Sequence, residues 1–583
     1  MDAKILAVLA VIAIAAVGGA VYVFAGQSHD SNDDSTDIDD SSRTSDTTID
    51  TGEEDTEADS AATYEITYVS GTENAFTISS TGSDTTITFS GLDADTVYSI
   101  SGKLEGNIVI DAGDYDFELD LEGVTISSSS SVPIYVSSGD NVDISAKKNT
   151  VNKVYDNRSA VSDDDTSAAI FSDCDLTLKG KGELVVISYN NNGIHSKDDL
   201  TVKNLTLYVT CVDNALKGND SVTITSGTIV LNATSGDGIK TTSTDLNKNG
   251  EQRGTVTINS DDGDTSLTIK AYCDGIDAAF DVSIEQTEGS LSVDIIAGTG
   301  ATSTTSTVYG APMGGGPGWG GMPGGNSWNQ RGPDSDGNSN KVDYSCKGIK
   351  ASNGVYISSG TVTIDAYDDA IHANNDDSME SGVTPKGEVI ISGGTVTLNS
   401  KDDAIHSDGA LKVTSGTLKI TGSYEGLEGA SVTISGGNVS IVSSDDGINS
   451  SGTITISGGY VYVYAGGDGI DSNSSVRYGG IKFTGGETII ISTSSGNSSI
   501  DTDYGYTYSG GKVLAICPNG MTQEVTNADT WSSKATYKNM TLSKGSTVKV
   551  TVGSSTAISV DMPVSIGNAF VVYLGSNSAT ISA

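Results

Sequence analysis

Short stretches in which apolar and polar residues alternate fill the chain from about residue 63 to its end. A typical pair is residues 432–435 (VTIS) and 438–441 (NVSI), which a Gly-Gly step separates. Alternation with a period of two, rich in Val, Ile and Thr and bounded by glycine, predicts β-strands rather than helices. The chain is therefore predicted to be all-β.

A five-residue motif centred on Ile or Leu recurs between residues 165 and 505. The aliphatic residue follows a Gly or Ala in most copies, and one place earlier there is usually an Asp or Asn. The basic step is about 22 residues, and longer steps hold one copy plus a loop. The aliphatic positions are Ile170, Ile194, Leu216, Ile239, Ile276, Ile349, Ile371, Ile405, Leu427, Ile448, Ile470 and Ile500.

A fixed period of roughly 20 to 30 residues built from short strands is typical of a solenoid. We predict a right-handed, single-stranded parallel β-helix (β-solenoid) with about 22 residues per coil. Coils would stack at the strand spacing of about 4.8 Å, with the aliphatic residues in one inward ladder. The small residue before each of them is expected to allow a tight bend.

The N-terminus is predicted to be a membrane anchor. Residues 5–25 form an uncharged apolar run that is long enough to cross a bilayer, and Lys4 before it favours a cytoplasmic N-terminus. A cleaved signal peptide is the alternative. In either case we expect the remainder outside the cell, on the extracellular face of the cytoplasmic membrane or secreted if residues 1–25 are removed.

The segment boundaries follow from composition. Low hydrophobicity and high charge predict that residues 26–62 are a disordered acidic, Ser/Thr-rich linker. Because an open solenoid end is an exposed sheet edge, both ends are predicted to carry β-rich caps. The predicted order is anchor 1–25, linker 26–62, N-terminal cap and first coils 63–160, β-helix 161–507 with loops at 243–254, 299–345 and 374–387, and C-terminal β cap 508–583.

Charge and cysteine usage narrow the possible partners. A net charge of −45 argues against nucleic acid and favours cations or neutral ligands. The five cysteines show no CxxC spacing, so a zinc site is not expected. Cys273 and Cys346 both stand three places before their aliphatic residue. They form either a disulfide between adjacent coils or two buried thiols.

Aligning the copies on the aliphatic residue places carboxylates in columns. At an effective dielectric near 20, two carboxylates about 4.8 Å apart repel by roughly 3 kcal/mol. Such columns need cations, raised pKa values or a strongly hydrated face, and Ca²⁺ prefers oxygen ligands of this kind. The alternative is that each Asp satisfies turn backbone. The candidate calcium ligands are Asp237, Asp274, Asp277, Asp368, Asp369, Asp402, Asp403, Asp445, Asp446, Asp468 and Asp471.

Two loops offer further candidate sites. Residues 245–250 (DLNKNG) match the first half of a calcium loop of the EF-hand type, but Val256 replaces the closing Glu, so a polar turn is the alternative. The Gly/Pro-rich loop 299–345 contains Trp319 and Trp328. These two rings are low-specificity candidates for stacking on sugars, and the alternative is that they have no binding role.

Several motifs together resemble one known family. They are the DDGI and DDAIH forms of the repeat, the Gly-Gly-split strands, the lead-in segments 98–102 and 108–113, and the closing segment 510–513. Over roughly residues 63–583 the chain is similar to secreted, carbohydrate-binding parallel β-helix proteins of anaerobic microbes. The resemblance implies a shape like that of pectate lyases, calcium binding, and association with cellulose or acidic plant polysaccharides such as pectin.

The expected function is therefore that of an extracellular, cell-anchored, calcium-dependent protein that binds polysaccharide without catalysis. A pectate-lyase-like polysaccharide lyase is one alternative, with Lys217, Lys240, Lys347 and Lys350 as the available bases. A surface adhesin or structural stalk is another. The repeat histidines His195, His372 and His406 are expected at the surface or in turns rather than in catalysis.

Overall fold

The computed structural model describes residues 63–161, 166–299, 345–502, 504–520, 522 and 524–583. The predicted anchor, the predicted linker, Trp319 and Trp328 lie outside these residues. Among the described residues, no helix combines the length and apolar composition needed to cross a membrane.

The N-terminal part mixes antiparallel and parallel pairing. Strand β1 runs antiparallel to β4, and β2 and β3 form an antiparallel hairpin. From β4 onwards the pairing with β5 and β6 is parallel. The strands are β1 (Tyr64–Ser70), β2 (Phe76–Thr81), β3 (Asp84–Phe89), β4 (Thr96–Asp111), β5 (Phe117–Ser128), β6 (Ile134–Ser138), β7 (Val142–Ala146) and β8 (Val151–Asp156).

Short strands continue through the repeat region. They are β9 (Ala168–Ser172), β10 (Leu176–Gly180), β11 (Glu183–Ser188), β12 (Asn192–Ser196), β13 (Asp199–Lys203), β14 (Leu205–Cys211), β15 (Leu216–Gly218), β16 (Ser221–Ile224), β17 (Gly227–Ala233), β18 (Ile239–Lys240), β19 (Thr255–Asn259), β20 (Thr265–Ala271), β21 (Ile276–Ala278), β22 (Asp281–Glu285), β23 (Leu291–Ala297), β24 (Ile349–Ala351), β25 (Gly354–Ile357), β26 (Thr361–Ala366) and β27 (Ile371–Ala373).

The later strands of the region are β28 (Glu388–Ile391), β29 (Thr395–Ser400), β30 (Ile405–Val413), β31 (Thr417–Gly422), β32 (Leu427–Ile434), β33 (Asn438–Ser443), β34 (Ile448–Ile456), β35 (Tyr460–Ala465), β36 (Ile470–Ser472), β37 (Ile481–Phe483), β38 (Glu487–Ser492) and β39 (Thr507–Tyr508).

Three ladders of parallel strands result. From β6 to β27, each strand pairs in parallel with the strand three places later in the chain. The first ladder contains β9, β12, β15 and their successors, the second contains β10 and β13, and the third contains β11 and β14. Strand β30 then runs through both the first and the second ladder, because it pairs with β27 and with β28.

The register of the first ladder confirms the alignment of the repeats. Ile349 lies opposite Ile371, Ile371 opposite Ile405, and Ile405 opposite Leu427. All twelve aliphatic positions of the motif are fully buried. They belong to one apolar cluster to which inward residues of all three ladders contribute.

The glycine before the aliphatic residue is required for a reason other than the predicted bend. Gly275, Gly348 and Gly447 do not adopt left-handed backbone conformations. A Cβ added at Gly447 would instead lie 2.1 Å from Val463 Cγ1 and 2.5 Å from the Gly469 carbonyl oxygen. The inward side chain of Val463, on β35, therefore excludes a side chain at residue 447.

Antiparallel pairing returns at the C-terminus. Strand β44 pairs antiparallel with both β40 and β41, while β42, β43 and β45 form a separate sheet. A second apolar cluster joins these strands to the outward side chains of Ile489, Ile491, Leu514 and Ile516. The elements are β40 (Lys512–Pro518), α1 (Trp531–Lys534), β41 (Ala535–Leu542), β42 (Thr547–Val552), β43 (Ser555–Asp561), β44 (Ile566–Leu574) and β45 (Thr580–Ser582).

The steric role of the motif glycine predicts a measurable loss of stability. Gly447→Ala should lower the free energy of unfolding by about 1–3 kcal/mol, because its Cβ overpacks against Val463. Gly496→Ala is the control, since a Cβ there meets nothing within 4 Å. We expect the control to stay within about 0.5 kcal/mol of the wild type. Equal denaturant midpoints for both variants would contradict this explanation.

Candidate functional site

The acidic row comprises the side chains three and two places before, and one place after, each residue of the buried aliphatic ladder. Its members stand side by side because the strands of the first ladder are in register. Asp277 is opposite Lys350, Lys350 opposite His372, and His372 opposite His406. The predicted stacking of equivalent positions is therefore confirmed for this column.

One oxygen of the aspartates in the first column binds the backbone of the next copy. The backbone N–H of Asp274 donates to Asp237 Oδ1 at 3.0 Å, and that of Asp468 donates to Asp446 Oδ1 at 2.7 Å. Asn192 accepts from the Asn214 N–H in the same way. Both Asp and Asn can accept this hydrogen bond, which explains why both residue types occur in the column. Satisfying turn backbone was the alternative to calcium binding, and it accounts for one oxygen of each side chain.

Lysines neutralise the row near Asp237. Lys240 Nζ lies 2.8 Å from both Asp237 Oδ2 and Asp277 Oδ2, and Lys350 Nζ lies 3.3 Å from Asp277 Oδ1. Burial works to raise the pKa of Asp277, but Lys350 and Lys240 outweigh it and lower that pKa. Burial acts against the charge of Lys240 as well, yet the two aspartates raise its pKa.

Further along the row, Lys347 and His372 contact the aspartates. Lys347 Nζ lies 2.9 Å from Asp368 Oδ2 and 2.9 Å from Asp369 Oδ2. His372 Nδ1 lies 2.7 Å from that same Asp369 oxygen. Burial opposes ionisation of Asp369, but Lys347 and His372 overcome it and hold its pKa well below the usual range.

The histidines are more deeply placed than predicted. The rings of His372 and His406 stack with centroids 4.7 Å apart and planes 4° apart. His406 and His195 are buried, so the expectation of surface histidines is wrong for these two. The physical reason is ring packing, since His195 also meets Phe171 edge-on at 5.0 Å.

His406 acts as a buried cation within the row. Its Nδ1 lies 2.8 Å from Glu428 Oε2 and 3.2 Å from Asp403 Oδ2, and its Nε2 lies 3.4 Å from Asp408 Oδ1. Burial opposes the charge, but these carboxylates raise the pKa of His406. For His372, burial prevails and its pKa is lowered.

Beyond Glu428 the row changes character. We call Asp445, Asp446 and Asp468 the acid-only segment, because no described Lys, Arg or His forms an ion pair with them. Burial, and then the charges of Asp445 and Asp468, raises the pKa of Asp446 to about 8. Burial raises the pKa of Asp468 to about 6. The preceding member, Glu425, has a pKa of about 10, raised by burial and by Asp403 and Glu428.

Two of these carboxylates pack tightly against Gly467. A Cβ at Gly467 would lie 2.3 Å from Asp445 Oδ1 and 2.5 Å from Asp446 Oδ1, so only glycine fits beside them. Asp446 Oδ1 accepts the Asp468 N–H, which leaves Asp446 Oδ2 without this backbone contact. Carboxylate oxygens gathered in this way are the ligands that Ca²⁺ prefers.

Two groups in the described residues bring three potential metal ligands together. They are Asp403, His406 and Glu428, and Asp368, Asp369 and Asp402, with ligand atoms within 4.8 Å of one another. In the first group His406 itself supplies the positive charge. In the second, Lys347 Nζ already contacts two of the three carboxylates.

Two open alternatives from the sequence receive an answer. Cys273 and Cys346 are both free thiols. In the loop of residues 245–250, Asp245 pairs with Arg253 at 3.1 Å, and Asn247 Oδ1 accepts the N–H groups of Asn249 and Glu251. These contacts are those of a polar turn, the alternative to a calcium loop.

Sequence reasoning missed a row of tyrosines on β35. Tyr460, Tyr462 and Tyr464 face outward, while Val461 and Val463 between them are fully buried. The signal was available, because tyrosines two residues apart in a strand share one face. The row lies on the third ladder, away from the aspartate columns that guided the prediction.

Comparison with known proteins identifies the family. Residues 81–385, 374–426, 386–469 and 427–580 match the family described as carbohydrate-binding domain-containing protein. The matches extend over most of the chain. The chain belongs to this family.

A relative with the same description, from Acetivibrio thermocellus (strain ATCC 27405), is 34% identical over 112 residues. These are 18% of this carbohydrate-binding domain-containing chain, which spans only 39% of that relative. A solved structure of the polysaccharide lyase-like protein from C. thermocellum, a gadolinium derivative, covers 60% of this chain and 93% of its own. It is 21% identical with a TM-score of 0.28, and a likeness that weak supports no statement about this chain.

The crowded acids predict a pH-dependent stability when divalent cations are removed. The pKa of Asp446 is about 8 in the folded protein and 3.8 in the unfolded chain, so the folded state binds more protons between these values. Stability should therefore fall as pH rises from about 4 to 8. Asp446→Asn keeps the backbone hydrogen bond. It should reduce the slope of the unfolding free energy against pH by the amount that corresponds to about one bound proton.

The measurement is chemical denaturation across that pH range in the presence of a chelator. Glu288→Gln, at an exposed position, is the control and should retain the wild-type profile. Parallel profiles for Asp446→Asn and the wild type would show that Asp446 does not titrate in this window.

Proposed function

We propose that this protein binds polysaccharide in a calcium-dependent manner, without catalysis, at the extracellular face of the membrane that anchors its N-terminus. The observation that carries the proposal is the match to the carbohydrate-binding family between residues 81 and 580. The polysaccharide is of the cellulose type or an acidic plant type such as pectin, as the resemblance in the repeat motifs implies. The anchor itself belongs to residues outside the described part of the chain.

The binding body in this proposal is a right-handed, single-stranded parallel β-helix with about 22 residues per coil. Its support is the order in which the chain visits the three ladders, since consecutive strands take the first, second and third ladder in turn. Such a winding places long faces along the stack of coils. An extended polysaccharide can contact a face of this kind over many sugar units.

Calcium would bind at the acid-only segment in this proposal. The support is the cluster of carboxylates with which no described Lys, Arg or His forms an ion pair, and the close packing of Asp445 and Asp446 side by side against Gly467. The ion would supply the positive charge that Lys240 and Lys347 provide elsewhere in the row. Among the other predicted ligands, Asp237, Asp369 and Asp403 are less favourable for calcium, because Lys240, Lys347 and His406 already contact them.

The proposal of a non-catalytic role rests on the state of the lysines. A β-eliminating lyase needs a neutral base to take the proton next to the sugar carboxylate. The neighbouring aspartates outweigh burial and raise the pKa values of Lys240, Lys347 and Lys350, so these side chains remain protonated. The lyase alternative therefore lacks a base at these three positions.

Calcium titration by calorimetry tests the ion site. The double variant Asp445→Asn, Asp446→Asn should weaken calcium binding by about tenfold or more, because it removes both ligand charges. Gly467→Ala should weaken it as well, because the added Cβ would displace the oxygens of both carboxylates without removing their charges. Asp237→Asn is the matched control, since Lys240 already pairs with that carboxylate. Equal affinities for all four proteins would place calcium elsewhere or nowhere.

Binding to insoluble cellulose and to polygalacturonate, each with calcium and with chelator, tests the function. We expect binding to at least one glycan that decreases when calcium is removed. Absence of binding to both, in the presence of calcium, would contradict the proposed function and favour an adhesin or stalk. Release of unsaturated products from polygalacturonate, followed by absorbance, would contradict the non-catalytic assignment.

A further inference from the structure

The tyrosine row on β35 is an unusual feature of the third ladder. Tyr460, Tyr462 and Tyr464 share the outer face of the strand because the residues between them point into the core. Tyr460 has 39% of its surface exposed, and the other two are half-buried. At a parallel-strand rise of about 3.3 Å per residue, the row extends over about 13 Å. This is the length of a short oligosaccharide.

One side of the row is closed by apolar packing. Tyr462 lies opposite Ile489 and Tyr464 opposite Ile491 on the neighbouring strand β38. The C-terminal strands cover these isoleucines, and Tyr462 and Tyr464 pack against the edge of that cluster. The tyrosines are therefore the last outward residues before the covered part of the third ladder.

The other side of the row is open and polar. The preceding strand β33 places Asn438 opposite Tyr460 and Ser440 opposite Tyr462. The strand before that places Thr417 and Lys419 in the same two lines. Polar side chains thus line the surface beside the tyrosines, and we call this surface the floor. A floor with hydrogen-bonding groups beside aromatic rings matches the two faces of a sugar ring, one polar and one apolar.

The tyrosine hydroxyl groups are available to a ligand. Within the described residues, the three hydroxyl groups have no hydrogen-bond partner. Burial and the neighbouring hydroxyl groups of Tyr464 and Tyr460 raise the pKa of Tyr462 to about 12. The group is neutral at physiological pH and can donate a hydrogen bond to a sugar hydroxyl.

We propose that Tyr460, Tyr462 and Tyr464, with the floor of Asn438 and Ser440, bind a linear neutral polysaccharide. The proposal rests on the proposed function and names the binding face and the class of glycan. Neutral sugar is favoured because the chain carries a net charge of −45, and because Glu487 stands beside Tyr460. Glu487 pairs with Lys512 at 3.0 Å, which leaves Lys419 as the nearest described cation along the floor.

Calorimetry with cellohexaose, a soluble neutral β-glucan fragment, tests the proposal on the full chain. Tyr460→Ala is the main variant, because this ring lies outside the C-terminal apolar cluster and its loss should leave the fold intact. It should raise the Kd about tenfold, a typical effect of removing one stacked ring with its contact area. Tyr462→Ala should act in the same direction, and Tyr462→Phe, which keeps the ring, should change Kd less than about threefold.

Tyr189→Ala is the control, since Tyr189 is exposed outside this strand. It should bind cellohexaose as the wild type does. A thermal melt of each variant shows whether a loss of binding reflects unfolding, and Tyr460→Ala should melt within a few degrees of the wild type.

The outcomes separate this proposal from the proposed function. If the wild type binds neither cellulose nor polygalacturonate, the proposed function fails and this inference fails with it. If the wild type binds cellohexaose and Tyr460→Ala binds equally well, only the tyrosine site is overturned. Tighter binding of polygalacturonate that the tyrosine variants abolish would overturn the neutral class. A dimer in sedimentation that Tyr460→Ala dissociates would show instead that a second copy occupies the row.

Discussion

The in-register stacking of one buried aliphatic residue per copy of the motif is the constraint on which the rest of the structure depends. Each copy gains because Ile371 covers Ile349 and is covered by Ile405, and fully burying such a side chain contributes about 1.5–3 kcal/mol. The same register also places the residues that flank the aliphatic residue opposite their equivalents in the next strand, whether or not that contact is favourable. A ladder of isoleucines is stabilising, whereas a ladder of carboxylates is not. The acidic row is thus a consequence of the register that the protein must compensate.

Compensation takes two forms along the row. In the first part, a Lys or His stands between successive carboxylates, as Lys240 does between Asp237 and Asp277. In the later part, hydrogen bonds from backbone N–H groups continue, for example from Asp468 to Asp446, but the described cations do not. Repulsion acts in both parts, since burial, Asp237 and Asp277 raise the pKa of Asp274 to about 7, while burial, Asp445 and Asp468 raise the pKa of Asp446 to about 8. The later part differs in that no described Lys, Arg or His forms an ion pair with Asp445, Asp446 or Asp468.

The sequence was sufficient to predict what depends on local pattern. The alternation predicted strands, and the aliphatic period predicted which residues face one another, such as Ile405 and Leu427. The same alignment placed Asp277 and Lys350 in neighbouring copies although 73 residues separate them in the chain, and their strands are neighbours. Which aspartate meets a lysine is decided by side-chain reach across coils, and no single motif contains that information.

Burial of polar groups and the reason for the glycines also escaped the sequence. His406 looked like a turn residue because its motif is polar, yet ring stacking and three carboxylates hold it inside. Gly447 suggested backbone freedom, while the contact that excludes a side chain comes from Val463, which precedes the next copy of the motif. Both effects depend on a neighbour one coil away, and sequence patterns along a single strand do not report such neighbours.

The acidic row and the tyrosine row lie on different ladders, but one stretch of chain connects them. Strand β35 carries the tyrosines and lies between Asp446 and Asp468, and Gly467 follows it by two residues. A cation bound by Asp445 and Asp446 would therefore lie beside Gly467, in the turn that leads out of the tyrosine strand. Under the proposed function, calcium would influence glycan binding by ordering this turn, without contacting the sugar. Such coupling requires that calcium affect a neutral glycan as much as an acidic one, whereas a bridging ion would act only on the acidic one.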